Sequence, residues 1–145
     1  AKILAKQLNV QQHCEFLQKD AWDLNIENEF DIITSNGLNL YEKDDNRVVA
    51  LYKNLYRALK NNGRLICSAL TPPPTITTQC EWDMEQINKE DLTNATTLFK
   101  TILEIAWYNF RSSETTQNQL REAGFKNIQI YWDKQKMFPT FSAQK

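Results

Sequence analysis

The chain has 145 residues, with 17 Lys and Arg against 18 Asp and Glu, a net charge of −1 and three widely spaced cysteines. That balance gives no electrostatic hold on a polyanion such as duplex DNA, and the 41% hydrophobic content argues against disorder. No apolar run approaches the roughly 18 residues of a membrane span, and the length fits one domain around one core.

Residues 1–8 place Leu4, Ala5 and Leu8 on one helical face. Cys14–Gln18 is a short apolar strand candidate that stops at Lys19-Asp20-Ala21-Trp22. The β-branched run Phe30–Ser35 predicts a buried strand ended by Asn36-Gly37. From Asp44 to Lys60 the period becomes helical, with Val48, Tyr52, Leu55 and Leu59 on one stripe. Asp44 or Asp45 can cap that helix and Asn62-Gly63 can end it. Arg64–Leu70 is a second buried strand, and Thr71-Pro72-Pro73-Pro74 forces an extended exit.

A long helix is expected over 91–107, with Leu92, Ala95, Phe99, Ile102 and Ala106 on one face. Another runs over 113–123, capped by Ser112 or Ser113 and stopped by Gly124. Asn127–Trp132 and Met137–Ala143 flank the polar turn Asp133–Lys136, which predicts an antiparallel hairpin. Strand, helix and strand in alternation imply an α/β domain with a mainly parallel sheet. Such sheets bind ligands at the carboxyl ends of their strands, so Asp20–Trp22, Ser35–Asn39 and Thr71–Pro73 are the segments expected to line a site.

These features in this order resemble the carboxyl-terminal two-thirds of a class I S-adenosylmethionine-dependent methyltransferase of the small-molecule type. The motifs are Asp20-Ala21 after a strand, Phe30-Asp31-Ile32-Ile33, Leu59-Lys60-Asn61-Asn62-Gly63-Arg64-Leu65, Leu120-Arg121-Glu122-Ala123-Gly124-Phe125 and a last strand ending at Lys145. The resemblance implies a Rossmann-like three-layer sandwich, residues 1–145 forming a single domain, with a helical insertion over 75–111 that caps the substrate. The family's first two strands, its glycine-rich loop and its ribose-binding acidic residue have no counterpart, and the chain has only 3 Gly. Two apolar strand edges would then be exposed and would need cover. A homodimer with exchanged elements, or a rearranged sheet, would provide it.

By the same resemblance, Asp20 accepts from the adenine amino group, the Ala21 amide meets a ring nitrogen and Trp22 stacks on adenine. Each of the three also reads as a turn, rim or core residue. Ser35, Asn36 and Gly37 fall where the family places the cofactor's methyl-bearing sulfur. The segment lacks the prolines and aromatic of nucleic-acid amino methyltransferases, which argues against a base as acceptor. Asn39, Tyr41, Trp107, Tyr108 and Arg111 are the candidates for substrate contact, although Arg111 also reads as a solvated surface residue. His13 precedes a strand, away from all three clusters, so no general base is identified. Cys14 and Cys67 read as buried apolar residues. No metal site is expected.

The implied function is methyl transfer from S-adenosylmethionine to a small-molecule acceptor, in a reduced cytoplasmic protein that binds neither nucleic acid nor membrane. The rival reading is a non-catalytic relative that serves as a binding or dimerisation module.

Overall fold

The computed structural model describes residues 1–104 and 109–145. Its centre is α2 (Asp45–Ala58), whose apolar spacing turns Val48, Leu51, Tyr52, Leu55 and Ala58 onto one buried face. The Asp44 carboxylate starts the helix by accepting from the Asn46 amide at 2.9 Å. The helix stops at Ala58, two residues before the expected end. Leu59 takes an extended backbone (φ −73°, ψ 141°) and the chain turns directly into β2, Leu59–Ser68. Leu59 is fully buried and pairs with Phe30, so ending the helix there inserts one more leucine into the core.

Four strands form one sheet in the order β1-β2-β4-β3, where β1 is Phe30–Ser35, β3 is Lys126–Tyr131 and β4 is Thr140–Gln144. β1 runs parallel to β2, while β4 is antiparallel to both β2 and β3. The α/β class and the closing antiparallel hairpin are as the sequence implies, and the sheet is mixed. α4 (Ser113–Glu122) packs beside α2, and both cover the same face. The core between them and the sheet joins Leu65 and Cys67 of β2, Phe141 and Ala143 of β4, and Leu120, Ala123 and Phe125 around the end of α4. Tyr56 and Phe125 meet edge to face at 5.2 Å, under the Lys145 ammonium that lies 5.0 Å above the Tyr56 ring.

Several expectations are corrected. Cys14–Gln18 joins no strand and Cys14 is exposed, because no neighbouring strand is present to satisfy an extended backbone there. β1 is an edge strand rather than a buried one, with Ile32 61% exposed. The amino-terminal helix α1 (Lys2–Gln7) buries only Ala5, leaving Leu4 and Leu8 in solvent. The long helix is replaced by α3 (Lys89–Thr96) and a π-helical turn over Thr97–Ile102. Leu92, Ala95 and Phe99 are half-buried and Ile102 is exposed, while Ala106 and Trp107 lie outside the described residues. The last strand begins at Thr140 because the Met137 and Phe138 amides donate instead to the two oxygens of Asp133, at 3.2 and 2.7 Å.

Gly63 sits where β2 crosses closest to β1. A Cβ there would stand 2.8 Å from the Lys60 carbonyl oxygen and 3.2 Å from that of Asp31. Both neighbours are backbone, so neither can turn aside. Gly63→Ala is therefore expected to cost about 1–3 kcal/mol through overpacking, read as a lower midpoint in urea denaturation.

Candidate functional site

The carboxyl ends of β1 and β2 lie side by side, joined by the Ser68 hydroxyl donating to Asn36 Oδ1 at 2.8 Å. Beyond β1 the chain passes through Gly37, buried at φ +80°, into a 3-10 turn over Leu38–Tyr41. A side chain at that φ would be strained, which is why this sharp exit falls on one of the three glycines. Ser35 is half-buried, Asn36 exposed and Asn39 buried, while Tyr41 is 66% exposed.

Arg111 closes the edge from the far side of the sequence. Its amide continues the strand pattern by donating to the Leu70 carbonyl at 3.1 Å. Its guanidinium is 5% exposed and is bonded to Asp45 and to carbonyls of the loop after β1. The expectation of a solvated surface arginine is corrected, because acceptors from α2 and from the loop enclose it. Nearby, the Thr71 hydroxyl donates to the Lys136 and Met137 carbonyls, and the Trp82 indole N–H reaches Thr71 at 3.0 Å. Glu81 holds the first turn of α4 by accepting from the Ser113 amide at 3.0 Å and from its hydroxyl. The cleft left between these parts is about 510 Å³, bordered by Lys43, Asp45, Pro72, Ile76, Asn109 and Phe110 beside Arg111.

Asp20–Trp22 lies on the other flank of α2. The Trp22 indole N–H donates to the Arg47 carbonyl at 2.8 Å and the Trp22 carbonyl accepts from Asn54 at 2.5 Å. The ring is half-buried, with the Arg47 guanidinium 5.7 Å from its centre. Asp20 is exposed; one carboxylate oxygen accepts from the Trp22 amide at 2.9 Å. The structure thus unites the segments after β1 and β2 with Arg111 and holds Asp20–Trp22 through α2. Trp107 and Tyr108 lie outside the described residues. Asp45 and Asn109 were missed: Asp45 reads in the sequence only as a helix cap, and nothing marks Asn109, whose side-chain amide donates to the Leu40 carbonyl at 2.8 Å. Among the described residues no cluster of His, Cys, Asp and Glu could hold a metal ion, and no helix is long and apolar enough to cross a membrane.

Residues 1–67 match a family described as a methyltransferase domain. No curated protein matches the sequence. Among solved structures, the chain is similar to a possible exported protein of Bordetella parapertussis, at 38% identity and a TM-score of 0.92, over 99% of this chain and 48% of that one. It is similar in fold to an O-methyltransferase family 2 protein of Planctomyces limnophilus DSM 3776 in complex with apigenin, at 17% identity and a TM-score of 0.66, over 99% of this chain and 39% of that one. The structure of PigF with S-adenosylhomocysteine is alike at 18% identity and a TM-score of 0.63, again over 99% and 39%. The chain spans about half the length of the first of these and about two-fifths of the other two.

Under the cleft, the Tyr52 hydroxyl is buried beside Cys67 and Asn39. Burial pushes the Cys67 thiol up to about 12 and, with the neighbouring thiol adding to it, raises Tyr52 well above its usual range. Both groups are neutral when protonated, and both folded values exceed the unfolded ones. Their contribution to stability is therefore complete below the unfolded thiol value of 9.0 and is lost as pH rises toward the folded one. Melting temperature is expected to hold steady from neutral pH to about 8 and to fall above 9. Tyr52→Phe, which removes one of the two ionisations, should flatten that fall in thermal denaturation followed by circular dichroism.

Proposed function

We propose that the chain is part of a class I S-adenosylmethionine-dependent methyltransferase and forms the adenine-facing and acceptor-facing part of a domain that methylates a small molecule, a reading supported by the match of residues 1–67 to a methyltransferase domain and by the shared fold. The observation that carries this reading is the cleft of about 510 Å³ at the carboxyl edge of the sheet, walled by the segments after β1 and β2 and by Arg111. S-adenosylmethionine is the family's cofactor, and its sulfonium methyl carbon is already electrophilic when bound. What remains for the protein is alignment of the acceptor and exclusion of water.

The residues present fit the adenine end. Asp20 keeps a carboxylate oxygen in solvent after bonding its own turn, and the Ala21 amide has no acceptor among the described residues. Together they offer an acceptor for the adenine amino group and a donor for a ring nitrogen. Trp22 is half-buried beside them, with the Arg47 guanidinium over its ring. Ser35, Asn36 and Gly37 would face the methyl-bearing sulfur, with the buried Gly37 allowing backbone and ligand to come close. Asn109 and Lys43 line the cleft and Tyr41 is exposed in the loop leading to it, so all three would meet an acceptor small enough for the cleft and carrying polar groups. The three cysteines, all unpaired, suit a reducing cytoplasm.

The second reading, a non-catalytic module, draws on the outer edge of β1. Among the described residues that edge has no partner strand, and beside it an apolar groove of about 350 Å³ is lined by Leu17, Leu24, Ile26, Phe30, Ile32 and Ile33. A second copy pairing there, or strands contributed from upstream of Ala1, would cover it. Titration with S-adenosylhomocysteine distinguishes the two, since a module of this kind binds no cofactor even when extended upstream.

The methyltransferase reading is tested through Asp20. In a chain extended upstream by a glycine-loop segment, Asp20→Ala should weaken S-adenosylhomocysteine binding by about tenfold, as expected for losing a hydrogen bond to a charged group. Unchanged affinity would remove Asp20 from the site.

A further inference from the structure

The sequence offers Arg111 either to solvent or to an acidic substrate, and the structure gives it to the protein's own backbone. Nε donates to Asp45 Oδ1 at 2.6 Å, Nη1 to the Asn39 carbonyl at 2.9 Å and Nη2 to the Glu42 carbonyl at 2.8 Å. Longer bonds reach the Asn109 carbonyl at 3.4 Å and the Lys43 carbonyl at 3.5 Å. Every face of the planar fork is used, which a lysine ammonium could not reproduce. Three of the acceptors, Asn39, Glu42 and Lys43, belong to the short segment between Gly37 and Asp44. Other bonds also hold that segment: the Asn109 side chain donates to the Leu40 carbonyl at 2.8 Å, and the Glu42 carboxylate accepts from the Asp44 amide at 3.0 Å and from Arg47 Nε at 2.6 Å. Within it, Leu40 donates to the Gly37 carbonyl at 3.0 Å and Glu42 to that of Asn39 at 3.4 Å. Asp45 Oδ1 also accepts from Gln119 Nε2 at 3.0 Å, so the same carboxylate oxygen fastens the clamp to α4.

We propose that Arg111 is a positioning residue: its guanidinium fixes the loop after β1, and so sets where Ser35, Asn36, Gly37 and Tyr41 stand at the sheet edge, without itself touching a ligand. Its effect on ligand binding rests on the methyltransferase reading above, whereas its effect on the loop does not. Asp45 is the anchor of the device. One oxygen is shared by Arg111 and Gln119, and the side chain remains 66% exposed at the cleft.

The test is amide hydrogen exchange on the 145-residue chain and S-adenosylhomocysteine titration of the upstream-extended chain, each with Arg111→Ala. Exchange at Leu40 and Glu42 is expected to rise about tenfold or more while Leu65 and Cys67 in β2 keep their protection. Millimolar ethylguanidinium should restore the loop's protection and ethylammonium should not, a distinction that loss of general stability would not produce. S-adenosylhomocysteine affinity should fall and recover in step with the loop. Unchanged loop exchange, loss spread equally over β2, or equal rescue by both cations would overturn the proposal. Should Arg111→Ala fail to fold, Arg111→Lys serves in its place, and the same local loss is expected because the fork is gone while the charge remains. If the unsubstituted extended chain binds no S-adenosylhomocysteine, the methyltransferase reading fails and the exchange measurement still decides the clamp.

Discussion

A buried guanidinium group is costly unless its donors are met, and the fold around Arg111 is arranged to meet them. The acceptors come from the loop after β1, the first turn of α2 and the segment entering α4. The fork joins all three, beside the Asn109 side chain on the Leu40 carbonyl and Gln119 on Asp45. With the fork in place, the loop that leaves the sheet edge is tied to the same rigid pair of helices that closes the core. The core in turn supplies that rigidity: Leu51, Tyr52 and Leu55 of α2 and Leu120 of α4 are buried against β2 and β4. Packing, clamp and cleft form one chain of dependence.

The sheet shows a second asymmetry. Among the described residues both outer strands, β1 and β3, have one edge without a partner strand, and Lys145 ties the start of β2 to the segment before β1 by donating to the Leu59 carbonyl at 2.6 Å and to Asn28 at 3.0 Å. Toward β1 the ladder stops, with Phe30 and Ile32 left partly in solvent beside an apolar groove. Leu4 and Leu8 of α1 and Leu17 in the unpaired segment are likewise exposed. The functional division follows the same line. Under the proposed reading, the cleft beside Arg111 would meet the acceptor and Asp20–Trp22, held on α2 through Trp22, would meet adenine.

The parts legible in the sequence are those with local causes. The stripe of α2, the Ser112 cap of α4, the alternation of β3 and the polar turn before β4 each depend on residues a few positions apart. Cys14–Gln18 has the composition of a strand, yet a strand is a pairing and its partner cannot be read from the segment itself. The end of α2 was misplaced because Asn62-Gly63 is a strong stop signal, whereas the burial of Leu59 is a tertiary effect. The site follows the same rule. That Ser35, Asn36 and Gly37 stand at the carboxyl end of β1 was legible from the β-branched run before them. Arg111 was visible as a residue but not in its role, because its partners are backbone carbonyls and carbonyls carry no sequence signature.

The most direct test of the account is calorimetric titration of S-adenosylhomocysteine into the 145-residue chain and, in parallel, into a chain extended upstream by a glycine-loop segment. The account predicts binding by the extended chain and little or none by the shorter one, since the proposal gives these residues the adenine and acceptor sides and leaves the glycine loop to the added segment. Binding by neither chain would contradict it and leave the non-catalytic module as the better description.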